Sequence, residues 1–286
     1  MKNLILTWTL VSVFFTFPAQ GANTHEDAWK RFPPSQIQDV QPQLHGNLPT
    51  QIWLYEGPGT WDTGRKHLKL FFQQYGYTWQ SLTPERIKNG SWKPEPTQLL
   101  LMPGGQSWTY LEDLSEQGAE EIKKFLSLGG SYLGICAGAF YATSNREGGK
   151  KTGPYGIGLL DGVAYDGTAL GTSPFKDGML DFWILSLQKV MRMVLFGGPS
   201  FRYSSQEEQE KQVQVLARFP TIQEPAIVRL DFGSGRVALS GPHLEIEENL
   251  EDWGPEFNDP ESDWPLLNTL IQELLMGGAM PPNESR

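Results

Sequence analysis

The 286 residues contain one cysteine, Cys136. It stands at the centre of Gly134-Ile135-Cys136-Ala137-Gly138. A nucleophile with glycines two positions away on either side, placed directly after an apolar strand, is the pattern of a strand-to-helix elbow. The turn forces the nucleophile into a strained backbone conformation, and the glycines let the strand and helix backbones approach. The thiol then stands above the carboxyl ends of the strands and at the start of a helix, whose dipole favours thiolate. The plainer alternative is a glycine-rich turn around a buried structural cysteine.

A cysteine nucleophile needs a base, and four histidines are available. His25 and His45 lie in a polar N-terminal stretch, and His67 lies inside a helix beside charged residues, where solvation is expected. His243 lies in Ser240-Gly241-Pro242-His243-Leu244-Glu245, directly after a strand. Loops at strand ends are where open α/β sheets gather their functional groups. In an extended segment Glu245 points the same way as His243 and can hold the imidazole in one tautomer, completing a Cys136–His243–Glu245 triad. Otherwise His243 is an ordinary loop histidine. Candidate oxyanion donors are the backbone N–H groups near Gly104 and Gly105, in Met102-Pro103-Gly104-Gly105, and that of Ala137 just after the nucleophile. A tight turn alone would also explain Pro-Gly-Gly.

The elements that must carry these groups are legible in the hydrophobic pattern. Strands are expected over 51–55, 77–82, 98–102 and 131–135, with helices over 63–75 and 115–128 between them. The stretch Leu99-Leu100-Leu101-Met102 is continuously apolar, as a strand covered on both faces should be. Strand–helix alternation of this kind argues for a parallel sheet with helices on both faces. Further on, strands are expected over 212–219, 226–231 and 236–240, the last two joined by a hairpin turn at Phe232-Gly233-Ser234-Gly235. A final apolar-faced helix is expected over 264–275.

The composition narrows the function classes. A formal net charge of −10, with no Lys/Arg-rich run, argues against nucleic acid or anionic lipid as a partner. Residues 1–22 read as a secretory signal peptide: Lys2, an apolar stretch over 4–17, then small residues, with cleavage expected after Gly21 or Ala22. The apolar stretch is short for a membrane span, and none is expected after cleavage. The chain is therefore expected to be exported, to a periplasm or the exterior. Residues 23–48 read as a polar, Pro-rich arm, 49–277 as the folded domain and 278–286 as a tail. A lone cysteine in an exported protein excludes an internal disulfide.

The order of Pro103-Gly104-Gly105, the Cys136 elbow and His243-Leu244-Glu245 resembles that of the class I glutamine amidotransferases. Met102-Pro103-Gly104-Gly105, followed by a helix and by the run from Gly129-Gly130-Ser131-Tyr132 through the elbow to Phe140-Tyr141, is similar to the N-terminal domain of biotin-protein ligases of the eukaryotic type, a domain that also occurs alone in bacterial proteins. Tyr55-Glu56-Gly57-Pro58-Gly59-Thr60 resembles that family's first strand and glycine turn. The resemblance, spanning roughly 50–275, implies a class I glutamine amidotransferase-like (flavodoxin-like) α/β fold with a mostly parallel sheet. Biotin ligation is not expected, since no ligase catalytic domain follows the amidotransferase-like region. Gly233-Ser234-Gly235-Arg236, although similar to a biotinyl-adenylate loop, joins two short strands. Ammonia transfer to a synthase suits an exported chain poorly.

The expected function is that of a cysteine-dependent amidase or hydrolase acting on a small-molecule or peptide amide, without cofactor or metal. The alternative is a non-catalytic module that binds a ligand or partner in the old cleft. In a third reading, the deglycase or chaperone branch of the superfamily, Glu56 would contact the thiol. The acidic run Glu245, Glu247, Glu248, Glu251, Asp252, Glu256, Asp259, Glu261 and Asp263 reads first as a solvated loop. Its functional alternatives are Ca²⁺ binding, for which the spacing fits no EF-hand, or selection of a cationic substrate. The aromatic cluster Trp53, Trp61, Trp79 and Trp108, with Tyr110, could line a pocket. Core packing is expected of most of these, and Trp61 and Trp108, in loops after strands, are the best pocket candidates.

Overall fold

The computed structural model describes residues 35–42, 49–148, 152–166 and 178–276. The signal peptide expected over 1–22, most of the arm and the tail lie outside the described residues. The elements follow in the order β1 (Ile52–Tyr55), α1 (Asp62–Tyr75), β2 (Trp79–Leu82), α2 (Pro84–Lys88), β3 (Leu99–Met102), α3 (Ser107–Ser127), β4 (Ser131–Ile135), α4 (Ala137–Ala142), β5 (Thr143–Glu147), β6 (Gly153–Pro154), β7 (Leu160–Tyr165), β8 (Gly178–Ile184), β9 (Lys189–Leu195), β10 (Ser200–Tyr203), α5 (Ser205–Glu210), β11 (Gln214–Arg218), β12 (Pro225–Phe232), β13 (Gly235–Ser240) and α6 (Trp264–Leu275). Among the described residues no helix is long and apolar enough to cross a membrane.

Among the described residues nine strands form the main sheet, in the order β2-β1-β3-β4-β13-β12-β11-β8-β9. From β2 to β13 neighbours run parallel; from β13 to β9 they run antiparallel. The apolar runs of the parallel half serve two cores at once, because successive side chains on a strand point to opposite faces. Ile52, Leu54, Leu99, Leu101, Leu133 and Ile135 join α1 and α6 on one face. Trp53, Tyr55, Leu100, Met102 and Tyr132 join α3 on the other. Helix α1 buries Leu68, Phe71 and Phe72 and stops at Gly76, which takes a left-handed conformation with its N–H on the Phe72 carbonyl, the usual helix-ending geometry.

Three features depart from the sequence expectation. Helix α3 begins at Ser107 and is broken at Ser115, whose φ of 54° lies outside the helical region, so the expected helix is its second segment only. A second sheet, β10-β7-β5-β6, takes three strands from the segment after the elbow and a fourth, β10, from after β8 and β9 of the main sheet. Its strands alternate weakly and include one of only two residues, so no periodic signal marks it. The acidic run is solvated only in part: Asp252, Glu256 and Glu261 are exposed, but Glu245, Glu248, Asp259 and Asp263 are buried. Burial, joined by the charges of Glu247 and Asp259, pushes the Glu248 carboxyl up to about 8.

Candidate functional site

The site is built at the carboxyl ends of three adjacent parallel strands. In β3 Met102 pairs with Gly134 of β4, and in β4 Ile135 pairs with Ser240 of β13. The segments leaving these strands therefore converge: Pro103-Gly104-Gly105 after β3, Cys136 after β4 and His243 after β13. The Cys136 N–H donates to the Ser240 carbonyl at 2.8 Å, tying the elbow to the histidine loop.

Cys136 has φ 49° and ψ −102°, a conformation that costs a non-glycine residue free energy and that its surroundings must hold. The flanking glycines explain how the turn closes. A Cβ on Gly138 would lie 2.1 Å from the Met102 carbonyl oxygen, and one on Gly134 would lie 2.6 Å from the carbonyl oxygen of Gly138. The helix that begins here, α4, is only six residues long, so its dipole is small, and the imidazole is the more important charge partner.

His243 is buried, and its Nδ1 lies 2.8 Å from Glu245 Oε1. The contact forms in a turn, closed by the Ile246 N–H on the His243 carbonyl at 3.3 Å, rather than in the extended segment expected. The His243 N–H donates to the Val194 carbonyl at 2.8 Å, so β9 positions the loop. Trp61 packs edge-on to the imidazole at 5.0 Å and Phe196 lies at 6.0 Å. A Cβ on Gly104 would sit 2.5 Å from His243 Cε1, so only glycine leaves room for the ring. Burial works to lower the imidazole's proton affinity, but the Glu245 carboxylate and then Cys136 outweigh it, and the net direction is upward. Nε2 has no hydrogen-bond partner among the described residues. The Cys136 thiol donates to the Phe196 carbonyl at 3.5 Å.

Cys136, His243 and Gly105 line one narrow pocket with Trp61, Trp108 and Phe196. Gly104 stands behind it against His243. The N–H groups of Gly105 and Ala137 meet no acceptor among the described residues. The pocket's remaining charged wall carries no sequence signal. Arg146 from β5 pairs with Asp166, after β7, at 3.0 Å, with both side chains buried. The Arg146 guanidinium lies 4.4 Å over the Phe140 ring. These residues come from the second sheet, and only its packing beside the elbow brings them to Cys136.

Two expectations are corrected. His67 is fully buried rather than solvated: Nε2 meets Glu251 Oε1 at 2.8 Å and Nδ1 accepts the Glu247 N–H at 3.1 Å. It lies outside the pocket and ties α1 to the acidic segment. Glu56 pairs with Lys69 at 2.7 Å and does not line the Cys136 pocket. Among the described residues, no cluster of three or more His, Cys, Asp or Glu is arranged to hold a metal ion.

Comparison with known proteins bears on the fold and on the elbow block. The family model described as the N-terminal region of biotin-protein ligase matches residues 50–157. An uncharacterized protein of Chlamydia muridarum is 32% identical over 161 residues, 53% of this chain and 61% of that protein. The biotin–protein ligase of Schizosaccharomyces pombe is 28% identical over 191 residues, 59% of this chain and 29% of that protein. The chain thus spans less than two thirds of either relative. Among solved structures, a glutamine amidotransferase superposes with a TM-score of 0.55 at 21% identity, over 79% of this chain and 98% of that one. PurLQS from Thermotoga maritima superposes with a TM-score of 0.51 at 18% identity, over 78% of this chain and 100% of that one. Residues 50–157 therefore match the biotin-protein ligase N-terminal family, carried on the mixed α/β fold of the class I glutamine amidotransferases.

Proposed function

We propose that this chain is a cysteine-dependent amidase or related hydrolase of C–N bonds, exported from the cell and acting on a small-molecule or peptide amide. One observation carries the proposal: His243 is held by Glu245 on one nitrogen, at 2.8 Å, while its other nitrogen is unoccupied in the pocket that Cys136 lines. In this reading Cys136 gives its proton to the free nitrogen of His243, its sulfur attacks the amide carbon, and the N–H groups of Gly105 and Ala137 hold the oxyanion. The imidazolium then protonates the departing amine as the C–N bond breaks, and water, deprotonated by His243, hydrolyses the thioester. Glu245 keeps the imidazole oriented throughout.

The test is labelling by iodoacetamide, followed by intact mass, together with turnover on a panel of amides and peptides. Wild type should take up one label at Cys136 faster than a free thiol does, and should turn over at least one substrate. His243→Ala should slow both, and Cys136→Ala should abolish both. Labelling no faster than a free thiol and indifferent to His243→Ala would sink the proposal.

A second reading, a non-catalytic binding module, draws on one contact: the thiol's hydrogen bond goes to Phe196 and not to the imidazole. Wild type and Cys136→Ala binding the same ligand equally, without turnover, would favour it.

A further inference from the structure

Tyr110 has no part in the thiol chemistry, yet its hydroxyl reaches the strand end that supplies the oxyanion donor. The hydroxyl lies 3.1 Å from the Pro103 carbonyl oxygen and 3.1 Å from that of Gly104. A phenol carries one proton, so the two carbonyls share it. Each has a second donor: the Gly138 N–H on Pro103 at 3.2 Å, and the Trp61 N–H on Gly104 at 2.9 Å. The ring is fully buried, edge-on to Tyr55 at 5.0 Å and to Tyr141 at 6.3 Å. Burial holds the phenol well above its ordinary range, so it stays a donor.

The consequence lies in the next peptide unit. In a trans peptide the C=O and the following N–H point in opposite directions. Fixing the Gly104 carbonyl on Trp61 and Tyr110 therefore fixes the Gly105 N–H on the other side. Gly105 lines the pocket with Cys136. Its N–H meets no acceptor among the described residues. Its φ of 141° is open to glycine, and a Cβ there would strike the Gly59 carbonyl oxygen at 2.0 Å. The peptide is thus clamped from both ends.

We propose that Tyr110, with the Trp61 backbone N–H, latches the Gly104–Gly105 peptide with its free N–H facing the Cys136 pocket, so that the oxyanion site is formed in the isolated chain and needs no partner protein to assemble it. Tyr110 is a positioning residue, and the proposal rests on the reading of Cys136 as a nucleophile.

Two probes separate that reading from the latch. Iodoacetamide alkylates a thiolate by displacement of iodide and forms no oxyanion. With p-nitrophenyl acetate, the sulfur attacks the ester carbon through an oxyanion and the C–O bond breaks, releasing p-nitrophenolate and leaving an acetyl thioester on Cys136. The isolated wild-type chain should give a burst of one p-nitrophenolate per chain. Tyr110→Phe keeps a donor on each carbonyl and should fold. It should alkylate at the wild-type rate but show a burst slowed about tenfold, as loss of fine positioning would cause. An unchanged burst in Tyr110→Phe would overturn the latch, as would equal losses in both assays, which would mark Tyr110 as a support of the thiol or the fold. A wild type that alkylates but bursts only when a cell extract is added would overturn independence from a partner. Failure of wild-type alkylation itself would fall on the nucleophile reading.

Discussion

Replacing Gly138 by alanine tests how tightly the elbow is closed. The added Cβ would lie 2.1 Å from the Met102 carbonyl oxygen, 2.8 Å from Met102 Cβ and 2.9 Å from its carbonyl carbon. Comfortable contact begins near 3.5 Å, so β3 or α4 must give way by roughly 1 Å. Two of the three atoms are backbone, in a strand with parallel neighbours on both sides, so no rotamer change relieves the clash. Overpacking costs about 1–3 kcal/mol, and a rigid neighbour places this case near the upper end. At about 2–4 °C per kcal/mol for a domain of this size, the melting temperature should fall by roughly 6–12 °C. The same displacement moves Cys136 relative to Gly105, and a misplacement of about 1 Å costs on the order of a hundredfold in rate. Thermal unfolding followed by circular dichroism reads the first effect, and the p-nitrophenyl acetate burst reads the second. Gly76→Ala is the control. Gly76 is left-handed, with φ 74°, as Gly138 is not, but no atom lies within 4 Å of its added Cβ. Backbone strain of about 1–2 kcal/mol should be its whole cost, with the burst intact. Melting of Gly138→Ala within about 2 °C of wild type, or no lower than Gly76→Ala, would refute the close-approach explanation of the elbow.

Two further perturbations probe the buried charges. Glu245 and Cys136 raise His243 to about 10 against burial, from an ordinary 6.5. A raised histidine stabilises fully below about pH 6.5, and that contribution is lost as pH rises towards 10. Glu245→Gln should therefore lower stability by about 3–5 kcal/mol at pH 6, the cost of breaking a buried pair. The gap to wild type should narrow above pH 8, and a pH-independent gap in melting temperature would contradict the pairing. Arg146→Ala leaves the buried Asp166 without its guanidinium and should cost about 3–5 kcal/mol in denaturant unfolding. Arg146→Ala combined with Asp166→Ala should recover more than half of that, whereas a double variant no more stable than the single one would show that the loss does not come from breaking this pair.

The parts of this molecule that the sequence made legible are those with local causes. A strand covered on both faces must be apolar at every position, so β3 and β4 announce themselves. A turn as tight as the elbow tolerates only glycine two residues either side of Cys136, and Gly134 and Gly138 are within contact of the backbone that would exclude anything larger. His243 and Glu245 could be paired on paper because they are two residues apart after a strand. Their contact nonetheless forms in a turn, stabilised by the Ile246 N–H, and that choice depends on the Val194 carbonyl in β9 catching the His243 N–H.

What only the tertiary structure decided has long-range causes. His67, set among charged residues in sequence, is buried because α1 packs under the acidic segment, where Glu251 and the Glu247 N–H satisfy both its nitrogens. Burial of that segment's carboxylates depends on packing that no run of like charges reveals. Arg146 and Asp166 reach the pocket only because the second sheet folds back beside the elbow, and Tyr110 reaches the Gly104 carbonyl only because the first turn of α3 turns it inward. Local steric rules thus determined where the sulfur had to be. Contacts between residues far apart in the chain, which leave no period and no motif, decided what surrounds it.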